Sequence, residues 1–136
     1  MDKTIIRLVG AAIVAALAFA ATSMGETPRI GLSIVIGLSS FVLMIISRRQ
    51  LGKSFSIMPE ARALVTTGLY SRIQHPMYVF LDLFLVSVIV GCDWPILLWA
   101  WAIVVVVQTV QGRREEKVLA AAFPSDYEVY RGRTWL

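Results

Sequence analysis

His75-Pro76-Met77-Tyr78-Val79-Phe80-Leu81-Asp82-Leu83-Phe84-Leu85-Val86-Ser87-Val88-Ile89-Val90-Gly91 runs from the only histidine of the chain through a nearly unbroken apolar stretch. A run of this kind approaches the ~20 residues that a helix needs to cross a hydrocarbon core. Being short, it either begins among the lipid headgroups or tilts little. Pro76 suits a first helical turn, where its missing N–H costs nothing. On a helix His75, Tyr78 and Asp82 fall at i, i+3 and i+7 and share one face. Asp82 then sits about 10 Å inside the apolar run. A lone carboxylate at that depth is costly and conspicuous. It requires a wet cavity or a partner, and a carboxyl satisfied by simple packing, for example against a tyrosine hydroxyl, is an equally open reading.

Working outward, the chain has 136 residues, 57% of them hydrophobic, and a mean hydropathy of +0.72. That is too apolar for an ordinary soluble domain and implies one integral membrane domain. Four apolar segments are expected to span, at about 5–23, 30–47, 76–91 and 95–111. The Gly10/Ala11/Ala12/Ala15/Ala16/Ala18 pattern in the first suits close packing in a bilayer, including packing against a second copy in a homodimer. The same region, Asp2-Lys3 … Arg7, an Ala-rich run and Ala20-Ala21-Thr22-Ser23, also has the look of a secretory signal peptide. A single cysteine, Cys92, excludes an internal disulfide and a multi-cysteine metal site.

Charge placement orients the chain. Arg48, Arg49, Lys53, Arg62 and Arg72 lie between the second and third segments, and Arg113, Arg114, Lys117, Arg131 and Arg133 lie in the tail. The other two loops hold only Arg29. Both termini and the long loop are therefore expected to face the cytoplasm. With the basic residues accounted for in this way, no separate patch is left for a nucleic acid. The fourth segment ends in a second polar stripe, Gln108, Gln111 and Glu115, again at i, i+3 and i+7. The tail from Gly112 to Phe123 reads as an amphipathic helix with Arg113, Arg114 and Lys117 on one side. Val118, Leu119, Ala122 and Phe123 lie on the other, with Glu115 among them and Glu116 at the edge. A carboxylate on a burying face needs a cation, from a protein arginine or from a ligand ammonium. In the long loop Leu51, Phe55, Ile57 and Met58 alternate with Lys53, Ser54 and Ser56, as in a surface-lying segment presenting Arg62 to Val65 as a lid, or as in a solvated connector. Tyr127, Tyr130 and Trp135 read as interfacial anchors.

Several of these residues carry a resemblance. Leu51-Gly52-Lys53-Ser54-Phe55, then Leu64-Val65-Thr66-Thr67-Gly68-Leu69-Tyr70-Ser71-Arg72-Ile73-Gln74-His75-Pro76-Met77-Tyr78, then Arg114-Glu115-Glu116-Lys117-Val118-Leu119 … Phe123 … Tyr127 … Tyr130 resemble the isoprenylcysteine carboxyl methyltransferase and phospholipid methyltransferase superfamily. The resemblance implies an integral membrane enzyme that uses S-adenosylmethionine (SAM) at its cytoplasmic side, in the parts 51–78 and 112–133. Carried over by position, it places Leu64, Val65, Gly68, Tyr70, His75, Tyr78, Glu115 and Glu116 around SAM, and Arg131 or Arg133 towards the acceptor. Two departures stand out: Leu69 replaces the usual proline, and Gln74 replaces the usual arginine before His-Pro. Past Arg133 only a few residues follow, and no larger substrate-recognition region is expected.

SAM carries a sulfonium, an ammonium and a carboxylate. Glu115 or Glu116 suits the ammonium, and Arg72, His75 and free N–H groups at the start of the third segment suit the carboxylate. Alignment and exclusion of water are the main catalytic demands of an in-line methyl transfer. A carboxylate acceptor needs no base; an amine must lose a proton, for which Asp82 is the candidate. The expectation is methyl transfer to a lipophilic acceptor, most like isoprenylcysteine carboxyl O-methylation. The alternatives are N-methylation of a phospholipid or other lipid amine and a non-catalytic membrane or partner-binding protein. A nicotinamide-dependent reductase is disfavoured, since no glycine-rich dinucleotide fingerprint is present.

Overall fold

A computed structural model describes residues 3–52 and 64–135 of the chain. Among the described residues there are five α-helices and no strand: α1 (Lys3–Ala21), α2 (Glu26–Leu51), α3 (Pro76–Cys92), α4 (Leu97–Ala122) and α5 (Pro124–Arg133), with a 3-10 turn at Gly68–Ser71. The amphipathic reading of Lys53 to Met58 and the lid from Arg62 fall largely outside the described residues.

Local chemistry accounts for the helix ends. Glu26 in the first turn of α2 and Arg48 and Arg49 in its last turn complement the helix dipole. Pro76 occupies the first turn of α3 as expected, and Asp93 closes that helix in the left-handed conformation with φ 57°, its N–H bonding to the carbonyls of Ile89 and Val90. The fourth apolar segment and the amphipathic tail, expected as two pieces, form one continuous helix, α4. Nothing between Gln111 and Gly112 breaks the i→i−4 ladder until Phe123 and Pro124 start α5. Tyr127 and Tyr130 face inward and are buried instead of anchoring at an interface, whereas Trp135 is exposed.

Helices α1 to α4 alternate in direction, so that Arg7, the end of α2, the start of α3 and the end of α4 gather at one end. Ala18, Val86, Ile89, Val90, Trp101 and Val105 form the core between α1, α3 and α4. The closest helix pair, α2 on α3, meets through a seam of small residues. Gly37 lies so near α3 that an added Cβ would be 2.7 Å from the Ser87 Oγ, and one at Gly91 would be 3.1 Å from the Ser33 Cβ. The serines of the seam satisfy themselves: Ser33 Oγ donates to the Arg29 carbonyl at 2.8 Å, Ser47 to Leu43 at 2.8 Å and Ser87 to Phe84 at 2.7 Å. They therefore behave as small, closely packing side chains without unmet polar demands.

Of the expected spans, α2 is the one helix among the described residues long and apolar enough to cross a membrane by length and composition. The apolar stretches Gly10–Ala21 and Pro76–Cys92 are shorter. Ile34, Val35, Leu38 and Val42 on α2 are all exposed, an outward apolar surface that lipid can cover. At the end opposite Arg7, Arg29 is buried, donates to the Val90 carbonyl at 2.9 Å and pairs with Asp93 at 3.3 Å. The lone arginine of the sparsely charged loops is thus a cation on the C-terminus of α3, where the helix dipole favours one.

Candidate active site

His75 precedes the first turn of α3 and meets α4 where Gly112 removes a side chain. An added Cβ at Gly112 would lie 3.3 Å from His75 Nε2 and 3.5 Å from Arg7 Nη1. The imidazole is held at both nitrogens: Nδ1 is 3.4 Å from Glu115 Oε2, and Nε2 is 3.4 Å from Glu116 Oε1. Consecutive carboxylates reach both edges of one ring because α4 passes across the front of His75. Tyr78, one turn further along α3, stacks on His75 at 5.5 Å between ring centroids, and its hydroxyl donates to Glu115 Oε1 at 2.7 Å. Gln111 donates to the same oxygen at 3.4 Å. Arg7 of α1 reaches Glu116 Oε1 at 3.2 Å and Gln74 Oε1 at 3.5 Å. Gln74 passes the connection on, its amide donating to the Tyr127 hydroxyl of α5 at 3.3 Å.

The electrostatics follow from this packing. Burial disfavours charge on His75, but hydrogen bonds to Glu115 and Glu116 outweigh it against the opposing Arg7, and its pKa stands above the ordinary 6.5. Burial also pushes both carboxyls up, yet the bonds to His75, with Tyr78 for Glu115 and the Arg7 charge for Glu116, leave both below 4.5. Tyr70, buried and near Glu115, is pushed up to about 12.

One hollow opens against this cluster and another lies by α5. The first, of about 220 Å³, lies between α1, α3 and α4 and is lined by His75, Tyr78, Asp82, Trp101 and Gln108, with Gly10 and Ala11 on the α1 side. The stripe His75, Tyr78, Asp82 therefore does share one face, and that face looks into a cavity. Asp82 accepts a hydrogen bond from Trp101 Nε1 at 3.1 Å. The partner is an indole and not a tyrosine hydroxyl. Beside Asp82, the Gln108 amide nitrogen is buried and lacks a partner of good hydrogen-bond geometry among the described residues. The other hollow, of about 570 Å³, opens between the 3-10 turn and α5 and is lined by Leu64, Thr66, Ser71, Phe123, Tyr130 and Arg133. The Tyr130 hydroxyl is buried there without a hydrogen-bond partner among the described residues.

The phospholipid methyltransferase family matches residues 27–126, most of the chain. The chain belongs to that family. No curated protein and no solved structure matches it. Membership in a phospholipid methyltransferase family supports methyltransferase activity on a lipid and, together with α2, association with a membrane.

Within this methyltransferase the residues singled out in the sequence divide into groups. His75, Tyr78, Glu115 and Glu116 come together in one bonded cluster, with Tyr70 close enough for its pKa to feel Glu115. Leu64 and Arg133 line the larger hollow, and Asp82 the smaller. Val65 is half-buried beside Leu64. Gly68 opens the 3-10 turn, whose Leu69 N–H is held by Gln50 of α2 at 2.8 Å. Arg72 stands apart, with its guanidinium 5.4 Å from the centre of the Trp135 ring and its carbonyl accepting the Trp135 N–H at 2.8 Å. It ties down the tail and does not join the His75 cluster. Sequence reasoning passed over Arg7, Trp101 and Gly112. For Arg7 a signal was present: it is a lone cation inside the first apolar segment, as Asp82 is a lone anion inside the third.

Proposed function

We propose that this protein transfers a methyl group from SAM to a lipophilic acceptor at the cytoplasmic end of a four-span membrane domain. The observation that carries this is the His75 imidazole held between Glu115 and Glu116 in a chain of the phospholipid methyltransferase family. The residues present fit the cofactor. Two carboxylates face Arg7 and the His75 imidazole; once His75 gives up its proton the cluster keeps one net negative charge, and SAM carries one net positive charge. Glu115 or Glu116 would hold the ammonium, while Leu64 and Val65, with the hollow lined by Tyr130 and Arg133, offer apolar cover and hydrogen-bonding groups for the adenosyl part. When bound, SAM supplies an electrophilic methyl on a sulfonium. The protein's part is to align that group and keep water out. Arg72, pinned on Trp135, is less suited to the cofactor carboxylate than the N–H groups at the start of α3.

For the acceptor, the cavity beside His75 and Tyr78 favours a lipid amine over an isoprenylcysteine carboxylate. The Asp82 carboxylate in an apolar wall attracts an ammonium group and repels a second carboxylate. Lining the same cavity as His75 and Tyr78, it is the candidate base for the proton that an amine loses before attack. The inward-positive distribution of arginines supports the four-span orientation.

Calorimetry with SAM on the detergent-purified protein, beside Glu115→Gln and Glu116→Gln, tests the cofactor. Loss of one ion pair should weaken binding by about 2 kcal/mol, roughly 30-fold. Wild-type protein that binds no SAM in several detergents and lipids would end this reading. Methyl transfer into vesicles containing phosphatidylethanolamine, against a farnesylcysteine carboxylate, tests the acceptor. Asp82→Asn should lower turnover of the amine most at pH values where Asp82 is ionised and the amine is still protonated, and the loss should shrink at alkaline pH where the free amine is abundant. Full turnover by that variant at every pH would remove Asp82 from the role of base.

A further inference from the structure

We propose that Arg7 is a positioning residue of this site, a cation brought in by α1 that shares Glu116 with His75 and so lessens the demand of that carboxylate for a charged imidazole. The inference rests on the cofactor reading above. It concerns a helix that lies outside the family-matched segment, which begins at residue 27.

The geometry is specific. Glu116 Oε1 is shared by Arg7 Nη2 at 3.2 Å and His75 Nε2 at 3.4 Å. Arg7 also donates to the Gln74 side-chain oxygen Oε1 at 3.5 Å, and Gln74 is buried. The position directly before His-Pro, where the resemblance leads one to expect an arginine, thus holds a neutral amide with an arginine from another helix lying against it. A second guanidinium at position 74 would meet Arg7 at close range. One cation fits beside Glu116, and here α1 supplies it.

The consequence lies in the charge on His75. The groups that face the ring are Arg7 from α1, Tyr78 from α3, and Glu115 and Glu116 from α4, with Arg131 of α5 acting on Glu116 from further off. With two carboxylates and no Arg7, a proton on His75 would be the principal charge left to neutralise them, and the imidazole would stay cationic. An imidazolium wedged between both carboxylates competes with a ligand ammonium for the same oxygens. Arg7 weakens that competition, because its charge opposes protonation of His75 while holding Glu116 in place. Cofactor binding should then be linked to loss of the His75 proton.

Since His75 is the only histidine, ring-labelled protein gives one histidine signal by NMR, and its titration can be followed without any ligand. Arg7→Gln should shift the His75 titration to higher pH, and the pH at which SAM affinity reaches half its maximum should move up with it. Arg7→Gln/Gln74→Arg should return both midpoints towards wild type. Gln74→Arg alone should lower the thermal midpoint, because two guanidinium groups then crowd one carboxylate, and adding Arg7→Gln should relieve it, a non-additive cycle. An unchanged His75 titration in Arg7→Gln overturns the proposal. So does a Gln74→Arg variant as stable as wild type, a measurement that stands even if Arg7→Gln fails to fold. If SAM does not bind at all while His75 responds as described, the cofactor reading falls and the positioning of the cluster by Arg7 stands. If SAM binds and His75 ignores Arg7, the inference falls and the cofactor reading stands.

Discussion

Gly112 is the residue on which the cluster's geometry turns. Its missing side chain lets α4 approach His75, and an alanine there would bring a methyl to 3.3 Å from Nε2 and 3.5 Å from Arg7 Nη1. Two effects then oppose each other in stability. Alanine is favoured over glycine within a helix by ~1 kcal/mol, and the crowding costs ~1 kcal/mol or more. Gly112→Ala should therefore change the thermal midpoint little while displacing the ring between its carboxylates and weakening SAM binding. Scanning calorimetry beside a SAM titration checks both halves, and a variant that binds like wild type would mean the close approach serves packing alone. At this scale the sequence was informative where polarity met hydrophobicity: Asp82 and the Glu115-Glu116 pair were conspicuous because carboxylates are expensive in apolar settings. Gly112 was not conspicuous, since a glycine's use lies in what approaches it, and that depends on a helix 37 residues earlier in the chain, counting from position 112 back to 75.

Among the elements, the pairing of α2 with α3 rests on small residues and not on interlocking large ones. The Ser87 hydroxyl already donates to Phe84 at 2.7 Å and lies 2.7 Å from where a Cβ on Gly37 would stand. Gly37→Leu should push the two helices apart at the centre of their contact and lower unfolding stability in detergent by roughly 1–3 kcal/mol. Gly37→Ala with Ser87→Gly should recover most of the close approach. A Gly37→Leu protein with an unchanged unfolding transition would show that the seam does not hold the pair. The helical character of three of the four apolar segments was legible from hydropathy, because each run is nearly unbroken by charge; among the described residues α2 alone is also long enough to cross a membrane by length and composition. The boundary near residue 111 was not, because a spanning helix and an amphipathic continuation share one hydrogen-bond ladder, and only Phe123 and Pro124 interrupt it. The inward turn of Tyr127 and Tyr130 was equally hidden: amphipathic rings suit a membrane interface and a packed helix end alike.

For the molecule as a whole, the cluster joins α1, α3 and α4 at one end, and its charges make the assembly of those helices depend on pH. The signs can be worked from the directions of the shifts. Glu115 and Glu116 titrate below 4.5 in the fold, so the stability they contribute is present above 4.5 and is lost as pH falls through their lowered values. His75 titrates above 6.5 in the fold, so its contribution is fully present below 6.5 and is lost as pH rises through the raised value. The cluster should therefore hold the helices together best between pH 4.5 and pH 6.5, with an acid limb due to the carboxylates and an alkaline limb due to the histidine. His75→Asn removes the alkaline limb and keeps the carboxylates. Thermal midpoints at one scan rate, since membrane proteins often unfold irreversibly, should differ most between wild type and His75→Asn inside that window. The difference should shrink as pH rises past the His75 titration. A difference that stays constant to high pH would mean that His75 contributes as a neutral ring packed on Tyr78, and that Arg7, with Arg131 from further off, carries the positive charge facing the two carboxylates.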